Sequence, residues 1–129
     1  MSKTEYNPYD EIGGFDTVSQ LVTAFYKRVS QHPTLVPLFP EDFSEIARKQ
    51  KMFLSQFLGG PPLYSEEFGN PMMRKRHLRF PIGEKERQAW LECMAGAMEE
   101  INLIEPWRHI IFERLSLVAH HMMNQNEII

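Results

Sequence analysis

The chain reads as an all-α protein. Apolar residues recur at three- and four-residue steps over four long stretches, and no stretch alternates apolar and polar residues as a strand would. Proline and glycine mark the breaks between the stretches. At 129 residues, 43% hydrophobic and 24% charged, one domain with its own core is expected over 1–129. Residues 1–10 carry no period and read as a loose lead-in, and 125–129 as a frayed tail. The balance of 14 basic to 17 acidic residues, net −3, gives no electrostatic footprint for nucleic-acid binding. The single cysteine, Cys93, excludes an intrachain disulfide and suits a reducing compartment. No apolar signal region opens the chain and no apolar run approaches membrane-spanning length, so a cytoplasmic protein without membrane contact is expected.

The first stretch follows a break at Gly13-Gly14, with Asp16 and Thr17 as N-cap candidates and Thr17 with Gln20 as a capping box. Val18, Leu21, Val22, Phe25 and Val29 define its apolar face, and Tyr26 borders that face closely enough to enter the interior. The helix stops by Gln31-His32-Pro33, because proline disfavours helix in the residue before it. Residues 34–40 form a short connection anchored by Leu35, Val36, Leu38 and Phe39. Glu41, Asp42 and Ser44 then place acceptors where a second helix starts. Its stripe is Phe43, Ile46, Gln50, Phe53, Leu54 and Phe57, in which Gln50 alone is polar. A buried amide needs partners or a ligand. Gly59-Gly60-Pro61-Pro62 ends this helix, and 63–71 reads as turns.

A short basic segment comes next and stops at Pro81. The third long helix, 84–101, has a face of Trp90, Leu91, Met94, Ala95, Met98 and Ile101, and Cys93 within it is expected to pack rather than react. Pro106 suits the first turn of the last helix, where Ile111, Leu115, Val118 and Met122 share a face. Four main helices with irregular pieces between them fit a four-helix bundle among other helical architectures.

The basic segment carries the sharpest chemistry. In Met72-Met73-Arg74-Lys75-Arg76-His77-Leu78-Arg79-Phe80-Pro81-Ile82, four cations surround one histidine. Burial and like charge both favour a neutral imidazole, and neutral imidazole is the form that ligates a metal. Haem meets both demands, offering iron to His77 and propionates to the cations. Taken alone, the segment reads more simply as a solvated helix end whose histidine is favoured by the C-terminal dipole. Eight methionines and nine phenylalanines suit a flat, polarisable cofactor, though they also fill plain cores.

Other chemistries lack their motifs. The chain has no glycine-rich phosphate loop, no Cys-x-x-Cys and no His-Glu-x-x-His, and His120-His121 point about 100° apart on a helix, too divergent to chelate together. What remains is a set of four residues with polar or ligating groups beside apolar faces, each on a different segment: Tyr26, Gln50, His77 and Trp90.

With these residues in place the chain resembles the truncated haemoglobins, and within them group II. The resemblance rests on Phe25-Tyr26-Lys27-Arg28-Val29, Pro37-Leu38-Phe39-Pro40 and Phe53-Leu54-Ser55-Gln56-Phe57-Leu58-Gly59-Gly60-Pro61. It extends through Met73-Arg74-Lys75-Arg76-His77, Phe80-Pro81-Ile82 and Ala89-Trp90-Leu91-Glu92-Cys93-Met94, and covers about 6–124. It implies a globin-like, two-over-two helical sandwich around haem b, with His77 as the proximal iron ligand. Tyr26, Gln50 and Trp90 would face the gaseous ligand, and Phe39, Phe53, Leu54, Met73 and Ile82 would line the haem. Lys49, Tyr64 and Arg76 match positions that face the propionates. Ile46 holds the distal-helix position where full-length globins usually place a histidine, which leaves polar stabilisation to the other three. The function implied is reversible binding of oxygen and other diatomic ligands with slow release, with an electron donor as a possible partner. A peroxidase-like or nitric oxide dioxygenase-like enzyme using the same pocket is the alternative, and a haem-free helical interaction module is a further one.

Overall fold

Helix α2 (Gly14–Val29) packs against both α3 (Ser44–Phe57) and α6 (Glu84–Glu100), and α6 packs in turn against α7 (Trp107–Met122). The computed structural model describes residues 7–125, and these contain no strand. Three short helices join the long ones: α1 (Pro8–Ile12), α4 (Leu63–Phe68) and α5 (Met73–His77), with a 3₁₀ turn at Val36–Leu38.

The face expected of α2 is buried in full: Val18, Leu21, Val22, Phe25 and Val29 all lie in the core, with Tyr26 beside them. Enclosing a side chain such as Phe25 contributes about 1.5–3 kcal/mol, so α2 is the main apolar anchor between the other helices. The buried face of α6 is turned from the expected one. Ala89, Cys93, Met94, Ala97 and Met98 are buried, whereas Ala95 is exposed and Leu91 only half-buried. The reason is that α6 lies between α2 and α7, and the small residues Ala89, Cys93 and Ala97 permit close approach. At Gly96 a side chain would collide with Arg28, whose guanidinium reaches across α6 to pair with Glu100.

Several local expectations are corrected. Residues 8–10 are not loose, because Asn7 caps α1: its Oδ1 accepts from the Tyr9 amide at 2.8 Å and its Nδ2 donates to the Gly59 carbonyl. Thr17 does not cap α2. Gly13 adopts a left-handed φ of 113° and turns the chain so tightly that α2 begins at Gly14, and the Thr17 hydroxyl donates back to the Ile12 carbonyl at 2.7 Å. Residues 63–68 form helix α4, held to α3 by Gln56, which accepts from the Ser65 amide and donates to its hydroxyl. Pro106 precedes the first turn of α7 rather than lying in it. The tail is ordered through Gln125, with Asn124 bonded to the Ile82 carbonyl, and 126–129 lie outside the described residues.

The turn after α3 is built around absent side chains. The Tyr9 ring sits against Gly60, where a Cβ would lie 2.7 Å from it. Gly60→Ala is expected to destabilise the fold by about 1–3 kcal/mol through overpacking, measured by thermal or urea unfolding. At the start of α6, the Arg87 guanidinium and the Gln88 amide hold the exposed Glu84 carboxyl down at about 2. A depressed carboxylate stabilises the fold above its unfolded value and loses that contribution as pH falls towards the folded one. Glu84→Gln should therefore lower the melting temperature slightly at neutral pH, converge with the wild type near pH 2, and so flatten the fall between about pH 4.5 and 2.

Candidate functional site

Helix α5 is too short to be stable alone, and none of its residues is buried. It depends on bonds to the rest of the chain. Its last residue is His77, half-buried, whose Nδ1 lies 2.7 Å from the Met73 carbonyl oxygen. A carbonyl only accepts, so Nδ1 carries the proton and Nε2 keeps the lone pair that a metal requires. The surrounding cations are largely engaged with backbone. Arg74 donates to the carbonyls of His121 at 2.6 Å and Met123 at 2.9 Å, while Arg76 Nε donates to Pro71 at 2.6 Å. Arg79 lies over the Phe80 ring.

Phe25, on α2, brings two of the expected donors together. Its ring meets Tyr26 at 4.9 Å and Trp90 at 5.1 Å between centroids, each edge to face. The Tyr26 ring also packs on Phe39 and Phe43, at 5.9 and 5.6 Å. Burial pushes the Tyr26 phenol well above the usual tyrosine range, so it is a neutral donor. Gln50 is half-buried on α3, one turn after Ile46 and one before Leu54. Among the described residues, the polar tips of Tyr26, Gln50 and Trp90 have no hydrogen-bond partner in the protein. Three donors thus stand uncommitted beside apolar surface.

The lining residues divide between two elements of the site. Leu54 is fully buried, whereas Phe39, Ile46, Phe53, Met73 and Ile82 are half-buried. Phe53 meets Tyr64 edge to face at 5.9 Å, Tyr64 packs on Phe68, and Lys49 Nζ stands over the Phe68 ring at 5.1 Å. Lys49 and Tyr64 are therefore gathered at the α3–α4 corner, and Arg76 stands apart on α5. Two contributors escaped the sequence reading. Phe43 appeared only as one member of the α3 stripe, yet it packs on both Tyr26 and Phe39. Asn124, which carries no role in that reading, bonds to both sides of the turn after His77. No local pattern marks such a residue.

Cys93 is not a nucleophile candidate in this setting. Its thiol is buried and pushed up chiefly by that burial, with Glu92 adding to the shift. It borders an open groove of about 600 Å³ whose polar walls, Lys27, Arg28, His32 and Glu92, share no residue with the set above.

The donor set fits haem. An imidazole with its Nδ1 committed and its Nε2 lone pair available suits the iron. Partly covered phenylalanine, isoleucine and methionine side chains suit the faces of the ring, and cations on α3 and α5 suit its carboxylates. Three free donors suit a polar diatomic ligand.

Comparison with known proteins points the same way. Residues 7–124 match the family model described as bacterial-like globin. The chain is 55% identical over 127 residues to group 2 truncated hemoglobin YjbI of Bacillus subtilis (strain 168), covering 98% of this chain and 96% of that one. The group II truncated hemoglobin of Bacillus anthracis superposes with a TM-score of 0.93 at 51% identity, covering 97% of each chain. The truncated oxygen-avid haemoglobin of Bacillus subtilis superposes with a TM-score of 0.89 at 54% identity, covering 92% of this chain and 100% of that one.

Proposed function

Since the chain belongs to the bacterial-like globins, as a two-over-two haem protein of the group II truncated haemoglobins, we propose that it binds haem b through His77. In this reading it takes up oxygen and other diatomic ligands reversibly and releases them slowly. The observation that carries the proposal is the 2.7 Å bond from His77 Nδ1 to the Met73 carbonyl, which leaves Nε2 as the ligating nitrogen. The relative described as oxygen-avid supports oxygen as the ligand.

Bound haem supplies an iron at which a diatomic ligand is held. The chain supplies everything around it. Phe39, Phe53, Leu54, Met73 and Ile82 exclude water from the ring, and Lys49, Tyr64 and Arg76 meet its propionates. Ile46 offers no imidazole to the ligand, so Tyr26, Gln50 and Trp90 provide the hydrogen bonds. A diatomic ligand carrying partial negative charge is held by such donors, and its escape is slowed in proportion to their strength. An electron donor keeping the iron ferrous, and a cytoplasmic location, belong to the same reading.

An absorption spectrum of purified protein, reduced with dithionite and then exposed to oxygen, tests it. Conversion of a five-coordinate ferrous spectrum into a stable oxygenated one is the expected result. Rapid oxidation to ferric haem would move the function towards peroxidase-like or nitric oxide dioxygenase-like turnover in the same pocket. A protein without a Soret band, even after reconstitution, would overturn the proposal.

A further inference from the structure

The geometry points to the end of α7 as a clasp that sets the orientation of the proximal histidine, with Asn124 and Arg74 as positioning residues. The inference rests on the haem reading and goes beyond it, to what holds the ligating imidazole in place.

Helix α5 has no fully buried side chain, only the half-buried Met73 and His77, so apolar packing alone fixes its tilt and its rotation about its own axis weakly. Polar bonds must do the rest, and they converge on one partner. Asn124 Nδ2 donates to the His77 carbonyl at 3.1 Å and to the Phe80 carbonyl at 2.8 Å, while its Oδ1 accepts from the Ile82 amide at 3.0 Å. The Asn124 amide donates to the Ile82 carbonyl at 2.8 Å. One residue therefore ties both ends of the turn that follows His77. From the other direction, the Arg74 guanidinium donates to the carbonyls of His121 and Met123, two acceptors that the end of α7 leaves without helical partners.

The two halves of the clasp act on different points of α5. Arg74 lies one residue after Met73, whose carbonyl accepts from His77 Nδ1, and Asn124 holds the carbonyl of His77 itself. The peptide groups at both ends of the imidazole's own hydrogen bond are thereby referred to the last turn of α7 and the two residues after it, the helix itself being anchored by its buried Ile111, Leu115 and Ala119. The direction of Nε2 follows from the register of α5 against that rigid element. Removing either half leaves the histidine bonded to Met73 but frees the short helix to rock.

The test uses the haem-loaded full chain with Asn124→Ala and Arg74→Met, read by the iron–histidine stretching band of the ferrous protein in resonance Raman spectra. Expected are a broadened band shifted to lower frequency in each variant, and haem transfer to an apo-acceptor about ten-fold faster, the size that follows from losing one or two stabilising hydrogen bonds. Exchange of the Leu78, Phe80 and Ile82 amides should accelerate as well. A band at the wild-type position and width in both variants, with only the melting temperature lowered, would overturn the clasp and leave Asn124 as a purely structural tie. Arg74 is exposed, so its variant keeps the question answerable should Asn124→Ala fail to fold. A wild-type protein without an iron–histidine band would instead overturn the haem reading, and the clasp with it.

Discussion

His77→Ala is expected to abolish proximal ligation. Losing only an outer partner of a metal-bound histidine costs about 10–100-fold in affinity, and losing the ligand itself costs more. The purified variant should therefore retain little haem, and the ferrous spectrum of a histidine-ligated iron should disappear. His120 and His121 are exposed on the last turn of α7, so His121→Ala serves as the control and should keep the wild-type spectrum. A proximal spectrum retained by the His77 variant would assign the iron to another residue and sink the site described above. Folding should survive the substitution, because His77 is only half-buried and its neighbours on α5 contribute nothing to the core.

The second large effect concerns ligand release. Tyr26→Phe removes the buried distal phenol and leaves its ring packing on Phe25, Phe39 and Phe43 intact. A hydrogen bond to a charged or strongly polar acceptor stabilises by about 1.5–3 kcal/mol, so oxygen dissociation should accelerate by roughly 10- to 150-fold. Trp90→Phe should accelerate it in the same direction. The two effects need not add, since Tyr26 and Trp90 both pack on Phe25 and repacking at one is felt at the other. Because burial holds the phenol above the usual tyrosine range, its donor proton remains in place through alkaline pH, and the wild-type dissociation rate should stay flat across the pH where a free tyrosine ionises. Stopped-flow displacement of oxygen measures both claims. An unchanged rate in either variant would remove that residue from the distal network, and a rate rising steeply near pH 10 would show that the phenol is not shielded.

Much of the fold was legible in the chain because it depends on local periodicity. The α2 face of Val18, Leu21, Val22, Phe25 and Val29 is a run of enclosed side chains, and such a run is visible without knowing its partners. Proline at 33 and the glycines at 59 and 60 mark helix ends through backbone sterics alone. The α6 face was misread for an equally physical reason. A helix packed on two sides buries a wide arc, and the buried positions left out of the expected face are the small ones, Ala89, Cys93 and Ala97, whose short side chains stand out least in an apolar stripe. The α1 cap was missed because a five-residue helix is too short to show a period, although Asn7 Oδ1 bonds locally to the Tyr9 amide; the Asn7 tie to Gly59, 52 positions away, lies beyond any local window.

The site divides along the same line. Sequence by itself determined which groups exist and on which element each stands: an imidazole in a basic segment, a phenol beside a core face, an amide within an apolar stripe, an indole near a helix start. Only the tertiary structure decided their surroundings. It packed Tyr26 and Trp90 against the one ring of Phe25, turned the His77 Nδ1 proton towards Met73, and brought Asn124 back across 42–47 residues to hold the turn after the histidine. Residue type and spacing are local properties encoded in a short window. Which donor meets which acceptor depends on chain segments converging in space, and that is settled only when the whole core closes.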